Sequence, residues 1–267
     1  MTSQQFSTIA RMLLLYSGLP LLIAFPTLLI GQIKVMSYNT HYCVGMNKEN
    51  SLKDIAALIK QTAPDIVGLQ EIGDSAMAAE LGKLSDMYFV FGPSLGKMDG
   101  YGDAVLSKYP FVYDGNHSIP SASSSRYQAM SVTIDFSKKS SKLGKVRLIN
   151  THFDWLKTIG SKQARLATVD VIEEAFFQAA PIPTILTGDL NAQPASVELE
   201  KLKKYGWVDS GEPGTHKTIP STQPAHQIDY ILFRGKEDFA VKSFSVLYGV
   251  LSSDHLPVVA ELTLLKK

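Results

Sequence analysis

Cysteine is nearly absent from this chain: Cys43 is the only one in 267 residues. An internal disulfide is therefore excluded, and so is a zinc site built on several thiolates. An excess of charge of one sign is lacking as well. With 26 basic and 25 acidic residues the formal net charge is +1, too small for an overall field that draws in a polyanion. A nucleic-acid partner would need a local patch, and the densest lysine segments are KKSSKLGK (138–145) and KLKK (201–204), which read equally as solvated surface. No low-complexity linker interrupts the chain, so 32–267 is expected to be one catalytic-sized domain that works as a monomer.

One long apolar run is present. Residues 12–30, MLLLYSGLPLLIAFPTLLI, carry no charge and match the roughly 20 residues that cross a bilayer. An uncleaved anchor, a cleaved signal and a buried helix are the three readings. The second has only Gly31 as a small residue near its end, and the third must tolerate Pro20 and Pro26. Residues 1–31 are accordingly expected to be a membrane-targeting segment. Arg11 before the run, with no balancing cluster after it, points to an exported or membrane-associated domain. Because the run ends at Ile30 and a strand begins by Ile33, an uncleaved anchor is expected to hold the domain close to lipid headgroups.

Beyond Gln32 short apolar runs alternate with helical periodicity. Strands are expected at 33–39, 65–71, 87–92, 103–107, 126–136, 145–153, 184–189, 227–233, about 239–248 and 256–262. Helices are expected at 51–62, with Ser51 as N-cap, and at 74–84, 161–178 and 196–204. Both halves, 33–110 and 145–262, place strands beside helices. The fold class that follows is α/β, a four-layer α-β-β-α sandwich of two packed mixed sheets flanked by helices.

The acids carry the most information. Glu71 ends the run IVGLQ, Asp189 ends TILTG, Asp229 lies in QIDYILF, and Asp254 precedes His255 and LPVVAEL. One such acid is an ordinary strand-end cap. Four of them at the ends of apolar strands are costly unless a cation gathers them. Magnesium, with manganese as the alternative, suits oxygen ligands of this kind, and Glu71 is the first candidate ligand. Zinc fits less well because the histidines lack a helical H-x-x-x-H spacing. Asn39 ends the first strand and His152 sits in INTHF. In GDLN, Asp189 and Asn191 stand two apart, which on extended chain turns both side chains toward one reacting centre. A water, a phosphorus atom and a leaving oxygen could be served by these groups together with a metal. His255 is either structural or an imidazole oriented by Asp229.

SYNTH, VGLQEI, YGDAVLS, INTHFD, ILTGDLNAQP, QIDYIL and LSSDHLPVVAEL stand in the order of the endonuclease/exonuclease/phosphatase superfamily, which the stretch from Ile33 to Leu262 resembles. It looks most like a bacterial branch with a Y-G-x-A-x-L-S segment, similar in turn to the phosphodiesterase-like domain of GPI-anchor-remodelling proteins. The resemblance implies Asn39 and Glu71 at the metal with Asp254 near it, and His152 and Asn39 on the phosphate. It further implies Asp189 activating water, Asn191 orienting that water or the phosphate, and His255 paired with Asp229. Arg126 matches an arginine that binds a phosphate oxygen, or else makes a surface ion pair. Many relatives have Asn, Asp or Trp where this chain has His41. Cys43 reads as a small filler, and His216 and His226 flank a proline-containing loop that overhangs the site or is merely exposed.

The implied function is hydrolysis of a phosphodiester, in nucleic acid or in a lipid headgroup. A phosphomonoesterase and a catalytically inactive binding module are the alternatives, and the complete set of acids, amides and histidines argues against the last.

Overall fold

The computed structural model describes residues 31–94, 101–123, 127–141, 143–177, 182–235 and 237–265. Its strands are β1 (Gln32–Asn39), β2 (Ile66–Ile72), β3 (Tyr88–Pro93), β4 (Gly102–Ser107), β5 (Phe111–Ile119), β6 (Tyr127–Asp135), β7 (Lys145–His152), β8 (Thr184–Asp189), β9 (Trp207–Asp209), β10 (Asp229–Arg234), β11 (Phe239–Val246) and β12 (Val258–Leu264). The helices are α1 (Leu52–Thr62), α2 (Ser75–Ser85), α3 (Ile159–Phe176) and α4 (Val197–Lys204). They build two six-stranded sheets, ordered β11-β12-β1-β2-β4-β3 and β5-β6-β7-β8-β10-β9. Both are mixed, with parallel β1–β2 and β7–β8 pairs among antiparallel neighbours. Sheet membership does not follow the two sequence halves, because β11 and β12 cross back to join β1.

Side-chain alternation explains the layering. In β1, Ile33 and Val35 point into the core between the sheets, whereas Met36 and Tyr38 join Ile55 and Ile59 of α1 under the outer helices. In β8, Ile185 points inward and Leu186 outward, toward Val169 and Ile172 of α3. This period of two is what a strand buried on both faces requires.

Within the inner layer the residue type changes along each strand. Going toward one end, β1 runs Ile33, Val35, Ser37, Asn39; β7 runs Val146, Leu148, Asn150, His152; β8 runs Ile185, Thr187, Asp189. One end of the sandwich is thus oily core and the other a polar floor, and the parallel strands all point their C-termini at that floor. Where the two zones meet, Asn150 Oδ1 accepts hydrogen bonds from Gln70 Nε2 (2.7 Å) and Thr187 Oγ1 (3.0 Å). Gly68 allows this, since a Cβ there would lie 2.0 Å from Thr187 Oγ1 and 2.5 Å from Asn150 Oδ1.

Some local expectations differ from what is found. Ser51 stands at the N-cap of α1, but its hydroxyl donates to Ser252 O (2.6 Å) instead of receiving a helix amide. The strands β5 and β9 are additional. Each lies at a sheet edge with one partner, β5 is bulged between Tyr113 and Gly115, and β9 has three residues, so neither has an apolar pattern to read. No helix among the described residues is long and apolar enough to cross a membrane, and the run 12–30 lies outside them.

The chain enters the domain at the oily end. Gly31 packs against Leu143 in the β6–β7 turn, while Asn39 ends β1 at the polar floor, about 23 Å away at roughly 3.3 Å per strand residue.

Candidate active site

The strands β1, β2, β7, β8 and β10 each contribute a functional side chain at the polar floor. Asn39 ends β1 and is fully buried. Its Nδ2 donates to Glu71 Oε1 and to Asp189 Oδ2, 3.1 Å in each case, and its Oδ1 accepts from His41 N (3.1 Å). The amide hydrogens, not the carbonyl, thus face the acids and hold two carboxylates from different sheets one side chain apart. Glu71 reaches that position through a bulge opposite β4, where its own φ is +57°. Asp254 lies in the loop before β12 with Oδ1 3.7 Å from His41 Nδ1.

Asp189, Asp229 and His255 form the second cluster. Asp229 pairs with Asp189 in the β8–β10 register, which puts both at the same end. His255 Nδ1 donates to Asp229 Oδ2 (2.9 Å), and its Nε2 lies 3.6 Å from Asp189 Oδ2. Burial opposes the charge on His255, but Asp229 and Asp189 outweigh it and raise the imidazole to about 10. The ring is therefore an imidazolium tied to Asp229. Asp189 is raised to about 7, chiefly by burial, with the His255 charge pulling the other way.

His152 differs. It is held neutral, pushed down to about 3 by burial and by the nearby charge of His255. Its tautomer follows from the network. Asn191 Nδ2 donates to Phe153 O (3.0 Å) and sits 3.1 Å from His152 Nε2; an amide nitrogen only donates, so Nε2 accepts. Nδ1 then carries the proton toward Tyr101 Oη (2.9 Å). Asn191 does neighbour Asp189, yet not by extended alternation: it has φ +47° and its backbone N–H donates to Asp189 Oδ1 (2.9 Å). A tight turn, which the i, i+2 argument did not contain, brings them together.

Arg126 lies outside the described residues. His216 packs on Phe244, with ring centroids 4.3 Å apart, and His226 Nδ1 meets Gln193 at 2.9 Å. The loop carrying them instead supplies Thr218, whose hydroxyl donates to Asp229 and braces the acid behind His255. Thr218, Tyr101 and the buried Asp103 were not singled out from sequence. Tyr101 and Asp103 lie inside YGDAVLS, where an aromatic and an acid flank a glycine before an apolar run; Thr218 has no comparable signal. An apolar cavity of about 1110 Å³ beside α4 and β9, lined by Leu199, Leu202 and Trp207, contains none of the acids or histidines described above.

Ligand atoms of Asp189, Asp229 and His255 all lie within 4.8 Å of one another, but both nitrogens of a protonated His255 are donors, so this trio is an ion-paired relay. The donor set suited to a hard divalent cation is on the other side, at Glu71 and Asp254. Burial raises the Glu71 carboxyl, although Asn39 and the nearby histidines oppose the shift. Among the described residues no lysine or arginine pairs with Glu71, Asp189, Asp229 or Asp254; the basic side chains beside them are histidines. An extra positive charge is what this end of the molecule is built to accept.

Comparison with known proteins agrees with this arrangement. Residues 36–255 match the model of the Endonuclease/Exonuclease/phosphatase family. The crystal structure of an endonuclease/exonuclease/phosphatase from Beutenbergia cavernae DSM 12333 is 24% identical, with a TM-score of 0.73 over 88% of this chain and 72% of that one. A mannosyl-6-phosphatase from Bacteroides thetaiotaomicron VPI-5482 is 19% identical, with a TM-score of 0.67 over 86% and 99%. The human Nocturnin catalytic domain, solved with a bound sulfate anion, is 20% identical, with a TM-score of 0.67 over 87% and 93%. These structures share the fold. With the family model covering residues 36–255, a stretch that holds every floor residue from Asn39 to His255, the chain belongs to the endonuclease/exonuclease/phosphatase family, whose members hydrolyse phosphate esters and generally depend on a divalent metal.

Proposed function

We propose that this protein is a phosphodiesterase that uses a magnesium or manganese ion and hydrolyses its substrate by in-line attack of water. The observation that carries the reading is the Asn39 amide spanning Glu71 and Asp189, 3.1 Å from each, so that a cation side and a base side form one network. Glu71 and Asp254 are the residues that would hold the cation, which would supply positive charge to offset the charge that builds up on the phosphate.

The other tasks fall to the chain's own groups. Asp189, fixed by Asn39 and by the Asn191 N–H, takes the proton of the attacking water, and an acid poised near 7 suits that role. The Asn191 amide hydrogens are engaged by Phe153 O and His152 Nε2, which leaves its Oδ1 to accept from the same water. His255, charged and oriented by Asp229, stabilises negative charge that develops on phosphorus-bound oxygen. His152 stays neutral and, through Asn191, helps to fix the group that orients the water, while Asn39 holds Glu71 and Asp189 in place. Arg126, which lies outside the described residues, is the candidate that the family resemblance offers for a phosphate oxygen.

Two features bear on the substrate. The lysine-dense segment 138–145 lies in the β6–β7 turn at the oily end, and Lys139 there pairs with Asp65. In 201–204, Lys201 pairs with Asp170 and Lys203 lies 3.9 Å from Glu200. Neither segment leads a polyanion to the floor. Both features favour a small or lipid-headgroup diester over DNA or RNA. A panel of bis-aryl phosphate, aryl monophosphate, plasmid DNA, RNA and phospholipid vesicles with magnesium tests this. Cleavage of the bis-aryl diester above the monoester is expected; activity on the monoester alone would replace this reading with a phosphomonoesterase.

A further inference from the structure

One imidazole on the cation side has no task in the chemistry above. His41 opens a three-residue turn after β1 in which His41, Tyr42 and Cys43 all have positive φ, 47°, 56° and 55°. Its backbone is fixed by the 3.1 Å bond from His41 N to Asn39 Oδ1. Its Nδ1 is buried, makes no hydrogen bond, and lies 3.7 Å from Asp254 Oδ1. That separation is too long for a hydrogen bond. It lies a few tenths of an ångström above the roughly 3.0–3.4 Å between adjacent donor atoms that each reach one ion at about 2.1 Å. Glu71 is the third member, tied to this turn through Asn39, whose Nδ2 donates to Glu71 Oε1 (3.1 Å) and whose Oδ1 accepts from His41 N (3.1 Å).

Resting on the cation-dependent reading above, we propose that His41 Nδ1 joins Glu71 and Asp254 in holding the divalent cation and makes the site select manganese over magnesium. Magnesium keeps to oxygen donors and gives up its waters reluctantly, whereas first-row transition ions accept an imidazole nitrogen alongside carboxylates. An orphaned ring nitrogen facing a carboxylate is a site with one donor more than an all-oxygen cage, and the added donor is of the type magnesium uses least. Only the neutral ring ligates, so the nitrogen facing Asp254 must carry the lone pair and Nε2 the proton.

The test is direct binding of Mn²⁺ and of Mg²⁺ to the full-length protein by calorimetry, together with electron spin-echo spectroscopy of the Mn²⁺-loaded form. Wild type is expected to prefer Mn²⁺ and to show modulation from a directly bound ¹⁴N. His41→Asn is the informative variant, because asparagine tolerates the left-handed backbone at this position and should fold. It should lose the nitrogen modulation and lower the Mn²⁺ to Mg²⁺ affinity ratio by about tenfold, the lower end of what loss of a partner to a metal costs. Modulation that is absent in wild type, or that persists in His41→Asn, overturns the proposal. An unchanged affinity ratio with a raised KM also overturns it, by moving His41 to the substrate. Failure of wild type to bind either ion would instead overturn the cation-dependent reading on which this one rests.

Discussion

Glu71 and Asp189 are separated by a single amide, yet their surroundings assign them different work. Glu71 is the more open of the two, with its side chain 19% exposed against 2% for Asp189, and it faces the side suited to a cation. Replacing Glu71 by Gln should keep the shape and remove the charge. Turnover with magnesium should fall by at least about 100-fold, as when one dominant electrostatic contact to the transition state is lost, while the circular dichroism spectrum stays that of wild type. Asp189 offers a second test through linkage. Its folded value is raised to about 7 from 3.8, so the protonated carboxyl is the form the fold prefers. The stability this gives is complete below about 3.8 and is lost as pH rises through 7. Metal-free Asp189→Asn should therefore melt above metal-free wild type at pH 8, by at least about 2 °C for each kcal/mol relieved, and should show no advantage at pH 4. His152 has the opposite sign. Its folded value, lowered to about 3 from 6.5, gives stability that is present above 6.5 and lost as pH falls toward 3. His152→Gln should flatten the acid limb of a pH–melting curve.

At the scale of elements, the inward faces of β1, β7, β8 and β10 grade from apolar to polar, and that gradient fixes where chemistry can occur. The glycine at the boundary should be sensitive. Gly68→Ala would push a methyl into Thr187 and Asn150, and a loss of about 1–3 kcal/mol in urea unfolding is expected for such overpacking. This gradient is also why so much could be read in advance. TILTGD was expected as a strand over 184–189 and is one, and acids at the ends of IVGLQ and TILTG do meet, because a polar residue closing an apolar run marks where a buried strand surfaces. What stayed hidden depends on turns and partners that lie far away in sequence. Asn191 reaches Asp189 through a left-handed turn, Thr218 backs Asp229 from an irregular loop, and β5 and β9 are edge strands with half the pairing that gives a strand its pattern.

At the scale of the whole molecule the two ends of the sandwich have separate roles. Gly31 and the lysine-bearing β6–β7 turn are at one end, and Asn39, His152, Asp189 and Asp229 are at the other. The central claim is that carboxylates from well-separated parts of the chain, Glu71 of β2 and Asp254 of the loop before β12, share a divalent ion that acts on a phosphate ester. Titrating magnesium into the metal-stripped full-length protein, wild type and Glu71→Gln side by side, while following bis-aryl phosphate hydrolysis tests it most directly. Saturable activation of wild type with little or none in Glu71→Gln is the expected result. Equal activity of the two proteins, or hydrolysis by wild type that persists undiminished in a chelator, would contradict it.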